Sequence, residues 1–373
     1  MPLRVLSVFG TRPEAVKMAP VVQQLKRTPG IESFVCVTAQ HRQMLDQVLD
    51  LFKISPDVDL DLMRKDQSLS QLSAAIFSQL DPVLAEYKPD WVLVQGDTTT
   101  VAITALLSYY HRIKVGHVEA GLRTHDKWQP FPEEINRRVA GVATDLHFAP
   151  TEWARNNLLH EGIPDSQIAL TGNPVIDALQ VVAAQPMPES ISSLLSKLEI
   201  GKKGKKLILV TAHRRENFGD PINNICKALK QLASREDLEI VYPVHLNPNV
   251  QEPVYRLLDG VSHVSLLPPL DYLPLVHLMK QATLVLTDSG GIQEEAPAFG
   301  IPVLVLREVT ERPEGVQAGS LKLAGTDVKE IVDEATLLLD NPTEYTRMAK
   351  AVNPYGDGHA AEKIVQALLN FNG

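Results

Sequence analysis

Two cysteines, Cys36 and Cys226, are all that the 373 residues contain. That is too few for a disulfide framework or a structural zinc site. Cys36 lies inside Phe34-Val35-Cys36-Val37 and reads as a small buried side chain. No apolar run approaches the ~18 residues of a membrane span. The first residues, Met1-Pro2-Leu3-Arg4, run into a strand without a signal-peptide pattern, so the expected compartment is a reducing cytoplasm. Basic residues are the minority, 36 Lys and Arg against 45 Asp and Glu, for a net charge of -9. This argues against a general nucleic-acid binder but leaves room for a local basic pocket. The first strand-to-helix turn, Gly10-Thr11-Arg12-Pro13-Glu14, has one glycine, so the G-x-G-x-x-G fingerprint of a dinucleotide site is missing. Asp57, Asp59 and Asp61 alternate with apolar residues, but no histidine or further acid stands at ligand spacing. They read as the solvated face of a strand, and neither metal nor cofactor is expected.

What is present is an ordinary soluble composition, 44% hydrophobic and 22% charged, at a length that favours two domains. Short apolar runs alternate with amphipathic stretches, which predicts an α/β fold with parallel sheets. Strands are expected at Arg4–Phe9, Phe34–Thr38, Trp91–Val94, Val115–Val118, Leu146–Phe148 and Ile168–Leu170, then at Leu207–Val210, Ile240–Tyr242, Leu284–Leu286 and Pro302–Leu306. Helices are expected over Leu69–Tyr87, closed by Pro89, and over His359–Phe371. Residues 184–206, with Pro186, Pro188, a serine cluster and a lysine run, read as a linker between domains.

The chemistry gathers at predicted strand ends, the edge where open α/β sheets bind ligands. In Thr287-Asp288-Ser289-Gly290-Gly291-Ile292-Gln293-Glu294-Glu295, two glycines open a helix whose start suits a diphosphate. Glu295, one turn below Gly291, is placed to accept hydrogen bonds from a ribose diol. The basic segment Arg307–Arg312 strengthens a nucleotide reading over a simple tight turn. Asp97 and Glu119 end two strands, and Glu133 opens a proline-bounded helix. Each alone reads as a cap or a dipole-stabilising acid; three together suggest a catalytic group. His213, followed by two arginines, ends a strand of the second half, and Arg12 and Lys17 overhang the first helix start.

The motifs Phe9-Gly10-Thr11-Arg12-Pro13-Glu14, Thr38-Ala39-Gln40-His41-Arg42, Gly96-Asp97-Thr98-Thr99, His117-Val118-Glu119-Ala120-Gly121-Leu122-Arg123, Pro132-Glu133-Glu134-Ile135-Asn136-Arg137, Thr211-Ala212-His213-Arg214-Arg215-Glu216-Asn217 and Thr287-Asp288-Ser289-Gly290-Gly291 resemble those of the non-hydrolysing UDP-N-acetylglucosamine 2-epimerases. Asn353-Pro354-Tyr355-Gly356-Asp357-Gly358 fits as well, so the likeness runs along nearly the whole chain. The resemblance implies two Rossmann-like domains facing across a cleft in the glycosyltransferase-B arrangement, over residues 1–172 and 173–352. The C-terminal helix, within 353–373, returns to the first domain, and a homodimer is usual. It implies interconversion of UDP-N-acetylglucosamine and UDP-N-acetylmannosamine without nicotinamide or a required metal. Ser289, Gly290, Gly291, Glu295 and Arg312 then hold UDP, with Leu270 and Leu275 as backbone or apolar contacts. Arg12 and Lys17 lie near diphosphate and sugar, and Asp97, Glu119, Glu133 and His213 form the catalytic set. A second, activating substrate site implied for some members falls here on Gln40, Gln43 and His245, with Asp66 replacing a family arginine.

The residue types suit elimination. A hydrogen at C2 is barely acidic, and loss of UDP across C1–C2 to 2-acetamidoglucal avoids a poorly stabilised anion. A carboxylate takes or returns the C2 proton, and cations hold the departing diphosphate. Asp97 and Glu133 are the proton-transfer candidates, and Glu119 the positioning or charge-stabilising group. Three rivals remain at this stage: a glycosyltransferase of the same architecture, a hydrolysing epimerase, and a UDP-sugar sensor without turnover.

Overall fold

A computed structural model describes residues 1–39, 42–62, 64, 67–202 and 204–371, with backbone alone for 42–44. The chain forms two compact units, Met1–Ala178 with Tyr355–Gly373, and Leu179–Pro354.

Unit 1 is built on β1 (Leu3–Phe9), β2 (Ile31–Val37), β3 (Val58–Asp59), β4 (Trp91–Gln95), β5 (Lys114–Val118), β6 (Leu146–Ala149) and β7 (Ile168–Leu170). All pair in parallel, in the order β3-β2-β1-β4-β5-β6-β7. Crossover helices cover such a sheet, so its strands are apolar nearly throughout, as in Val5 to Phe9, buried at every position. Leu6, Val8, Val92, Val94 and Val115 meet Ile76, Leu80 and Leu84 of the helix Leu69–Tyr87 in one core. Ser68 and Gln71 form a capping box at that helix's start. The terminal helix Ala360–Asn370 packs on the helix Arg12–Arg27. Asp177 accepts the N–H groups of Ala360 at 3.1 Å and Ala361 at 2.8 Å, and Phe371 meets Trp91 edge-on at 5.1 Å.

Unit 2 repeats the winding. Its strands are β8 (Lys206–Thr211), β9 (Leu238–Pro243), β10 (Val264–Leu267), β11 (Leu284–Thr287), β12 (Val303–Val305) and β13 (Leu321–Leu323), ordered β10-β9-β8-β11-β12-β13 and all parallel. In both sheets the unit's first strand lies beside its fourth, which makes both units Rossmann-like α/β domains. Among the described residues no helix is long and apolar enough to cross a membrane.

The structure departs from the sequence reading in three places. The stretch expected to be a linker carries the helix Glu189–Lys197, and the chain passes between units earlier, after Ala178. Pro188 starts that helix and Ile191 buries in unit 2, an apolar contact that the serine cluster disguises. Between His245 and Leu284 the sequence reading assigns no helix or strand, yet the structure holds the helices Pro248–Leu258 and Tyr272–Lys280 around β10. Pro253 and Pro274 interrupt the helical pattern there, and β10 is only half-buried. The expected strand over Asp57–Asp61 shrinks to Val58–Asp59, because its carboxylates serve the backbone: Asp57 accepts Val35 N–H at 2.8 Å and Asp59 accepts Asp61 N–H at 3.1 Å.

Candidate active site

In unit 1 two strand ends and one helix start carry three of the expected acids, with different surroundings. Glu119, just past β5, has φ of 64° and is 7% exposed. Its carboxylate takes Lys17 Nζ at 2.6 and 2.7 Å, Asn173 Nδ2 at 2.8 Å and the Gln95 amide. Three donor groups saturate it with four contacts, and the structure brings Lys17 and Glu119 together as one ion pair. Asp97, two residues past β4, is half-open to solvent. Its Oδ2 receives Arg137 Nε at 3.0 Å and Nη2 at 2.7 Å, while its carbonyl receives Asn136 Nδ2 at 2.9 Å. Arg137 also bonds Glu134, which is buried and accepts the N–H groups of Thr124 and His125. Glu134 thus organises the loop, whereas Glu133 beside it has a buried Oε2 with no hydrogen-bond partner. Arg12, at the start of the first helix, makes no side-chain hydrogen bond or ion pair with a described residue and is part-exposed.

Sequence reading missed the supports. Gln95 is the lone polar residue of β4, Asn173 sits in a Gly-Asn-Pro turn, and Arg137 is the first of two arginines after an acidic helix start. A polar residue closing an apolar strand is a usable signal; the partnerships are not, since they join residues 24 to 102 positions apart. Gly10 is required by space: a Cβ there would lie 1.9 Å from Thr38 Oγ1. Next to the acids, His117 is buried with a ring nitrogen 2.7 Å from the Gly96 carbonyl, so Nε2 carries the proton. Burial pushes His117 down to about 4, and burial with the neighbouring His117 pushes His147 down to about 3.

In unit 2 the centre is Asp288, wholly buried at the end of β11. Its Oδ2 accepts the N–H groups of His213 and Arg214, both at 2.8 Å, and Asn217 Nδ2 at 2.9 Å. His213 Nδ1 lies 3.6 Å from Oδ1, and the ring stacks on His245 with centroids 5.2 Å apart. Burial lowers the affinity of His213 for a proton, Asp288 raises it, and His245 and Arg214 lower it further; the net is downward, so the neutral imidazole dominates at pH 7. His245 Nδ1 accepts the Asn247 N–H at 3.1 Å. Gln40 lies outside the described residues, as does the Gln43 side chain.

Ser289 occupies the N-cap position of the helix Gly290–Glu295 without a side-chain capping bond. A Cβ on Gly290 would stand 3.7 Å from Arg214 Nη2 and 3.8 Å from Arg312 Nη2, so two guanidinium groups converge over this glycine. Gly291 faces open space. Arg312 is oriented by Glu294 and by the Glu311 carbonyl at 3.2 Å. Arg214 was not among the expected residues; the run His213-Arg214-Arg215 is the signal for it. Glu295 is buried and receives the Tyr272 hydroxyl at 3.3 Å. Leu275 lies one turn along from Tyr272 in the same helix and Leu270 just before it, both part-buried. The unit thus presents free backbone N–H groups, two guanidiniums and a buried carboxylate, a set suited to a diphosphate and a diol.

Among the described residues no three His, Cys, Asp or Glu side chains gather as a metal site would. The protein-family model described as UDP-N-acetylglucosamine 2-epimerase matches residues 23–369. The UDP-N-acetylglucosamine 2-epimerase of Escherichia coli strain K12 is 55% identical over 371 residues, covering 99% of both chains. That of Yersinia pestis is 54% identical over 371 residues, again covering 99% of both. The crystal structure of UDP-GlcNAc 2-epimerase from Neisseria meningitidis bound to UDP-GlcNAc superposes with a TM-score of 0.89 at 49% identity, covering 98% of this chain and 100% of that one. With sequence likeness at full length and both sheets in agreement, the chain belongs to the UDP-N-acetylglucosamine 2-epimerase family and is an isomerase.

Proposed function

We propose that the chain interconverts UDP-N-acetylglucosamine and UDP-N-acetylmannosamine without net hydrolysis, and that its product supplies cell-surface polysaccharide synthesis. Unit 2 holds the nucleotide: Arg214, Arg312 and the Ser289–Gly291 backbone take the diphosphate, and Glu295 takes the ribose. Unit 1 supplies the acid–base groups. UDP leaves across C1–C2 as a carboxylate removes the C2 proton, 2-acetamidoglucal forms, and a proton returns from the other face before UDP re-adds. Arg12 and the guanidiniums of unit 2 stabilise the departing charge.

The observation that carries this reading is the inequality of the three carboxylates. Glu119 is saturated by donors and suits a fixed negative charge near C1. Asp97 is gripped on one oxygen by Arg137. Glu133 keeps a buried oxygen without a partner, which suits a group that changes its proton. The test is turnover in heavy water from either epimer. Deuterium at C2 of both epimers, with UDP-sugar conserved, is the expected result. Epimer with its C2 hydrogen retained removes elimination, and stoichiometric release of UDP with free N-acetylmannosamine replaces this reading with the hydrolysing one.

Substrate activation and dimerisation belong to the same reading. His245, stacked on His213, places a proposed regulatory contact directly against a catalytic one. A lag from pure UDP-N-acetylmannosamine, abolished by a trace of the other epimer and lost in Gln43→Ala, is the expected behaviour; linear progress leaves His245 as a turn acceptor only. Ile135, Val139 and Val142, exposed at helical spacing on Glu133–Ala143, favour a homodimer, which sedimentation tests.

A further inference from the structure

Glu14 is a buried carboxyl to which the reaction assigns no step. It is 2% exposed, in the first turn of the helix Arg12–Arg27. One oxygen, Oε2, accepts the N–H groups of Thr11 at 2.7 Å and Gly10 at 3.0 Å, closing a capping box with Thr11. A capping box accounts for that oxygen alone. The other, Oε1, accepts the hydroxyl of Thr98 at 2.6 Å, across 84 positions of sequence. Thr98 is the residue after Asp97, and its hydroxyl oxygen also accepts Val101 N–H at 3.4 Å as cap of the helix Thr99–Tyr110. One hydroxyl therefore serves a helix cap and a buried carboxyl together. Burial raises the carboxyl's proton affinity and the four hydrogen-bonding contacts of Thr98, Gly10 and Thr11 oppose it.

We propose that Glu14 is a positioning residue: through Thr98 it fixes the Asp97 loop against the Gly10–Arg12 turn, so that proton acceptor and diphosphate cation keep one spacing. This rests on the reading of Asp97 as a proton-transfer group. The geometry has a counterpart in unit 2. There the first-strand and fourth-strand turns are also joined by a buried carboxylate, Asp288, which holds His213 and Arg214. In each sheet these turns flank the point where strand order reverses, where α/β sheets bind ligands. Other holds on the Asp97 loop, His117 on the Gly96 carbonyl, Asn136 on the Asp97 carbonyl and Arg137 on the Asp97 carboxylate, come from β5 and the helix Glu133–Ala143. Among these holds, that of Glu14 is the one that reaches the turn carrying Arg12. An error of about 1 Å in such a placement lowers turnover on the order of 10²-fold.

The experiment compares Thr98→Val, Thr98→Ser, Glu14→Gln and the double variant Thr98→Val/Glu14→Gln in the full chain. Thr98→Val is expected to lower kcat about tenfold or more with KM within about twofold, and Thr98→Ser to restore it. The double variant is expected to fall no further than the worse single one, because both break one link. Losses that multiply, a defect in KM instead of kcat, or parental kcat in a folded Thr98→Val would overturn the proposal. Should Thr98→Val fail to fold, Glu14→Gln against Glu14→Asp decides by the same kcat and KM division. Asp97→Asn separates the two readings: full turnover there sinks the role of Asp97, whereas a dead Asp97→Asn beside a fully active Thr98→Val sinks only the role of Glu14.

Discussion

The two units share one winding and differ in what their strand ends hold. In unit 1 the proposed catalytic groups are acids, and the structure pairs two of them with cations: Glu119 with Lys17 and Asp97 with Arg137. In unit 2 they are cations around one buried acid, Asp288, and two guanidiniums turn toward Gly290. The link between first and fourth turn also differs. Unit 1 uses a side-chain hydroxyl to reach Glu14, whereas unit 2 uses two backbone N–H groups to reach Asp288. A hydroxyl is removable by one substitution; backbone donors are not, so only the acceptor can be changed. On the proposed assignment, one sheet topology serves proton transfer or anion binding according to which charge its turns carry.

This division is open to attack, beginning with the largest effect. Asp97→Asn and Glu133→Gln should each lower turnover about 10²–10⁴-fold, on the order of 3–5 kcal/mol, with UDP affinity unchanged in titration calorimetry. A parallel loss of UDP affinity would blur the two units into one binding site. Next, Asp288→Ala leaves three donors without their buried acceptor and should destabilise unit 2 by about 3 kcal/mol in urea unfolding. Tryptophan fluorescence reports the other unit, since Trp91, Trp128 and Trp153 all lie in unit 1. A tryptophan transition that moves as far as the far-UV signal would contradict independent units.

The pH prediction concerns unit 1 alone. His117 and His147 are held near 4 and 3 against an ordinary 6.5. Their folded values lie below the unfolded one, so the unfolded chain binds more protons and stability falls as the pH drops below 6.5. The loss continues until the folded values are reached. Between pH 6.5 and 4.5 it should be on the order of 2 kcal/mol for each ring. His147→Leu should remove part of this slope in tryptophan-detected unfolding; an unchanged slope would place the titrating group elsewhere. The smallest effect is on the nucleotide. Glu295→Ala should weaken UDP about tenfold, roughly 1.4 kcal/mol, and change the turnover of saturated enzyme little. A fall in kcat with UDP affinity intact would move Glu295 from the ribose to the chemistry.

Much of this protein is legible in one dimension. Runs such as Leu3–Phe9 and Trp91–Gln95 are apolar because helices cover both faces of a parallel sheet, and that pattern marked ten of the thirteen strands closely enough to place the turns. Asp97, Glu119, His213 and Ser289 sit immediately beyond strands, so topology alone brings them to a ligand-binding edge. Local order does not disclose partnership. Glu14 and Glu134 look like ordinary first-turn acids, as does Glu133 between them in sequence motif, yet two are buried acceptors for loops and one keeps an oxygen unpaired. Likewise Lys17 resembles a free surface cation until Glu119, 102 residues away, neutralises it. Hydrogen bonds and ion pairs act over about 3 Å, whereas sequence spacing constrains only neighbours within a turn or a strand. Periodicity therefore determined the elements and their order, and folding alone decided which charges meet, which are silenced and which remain to react.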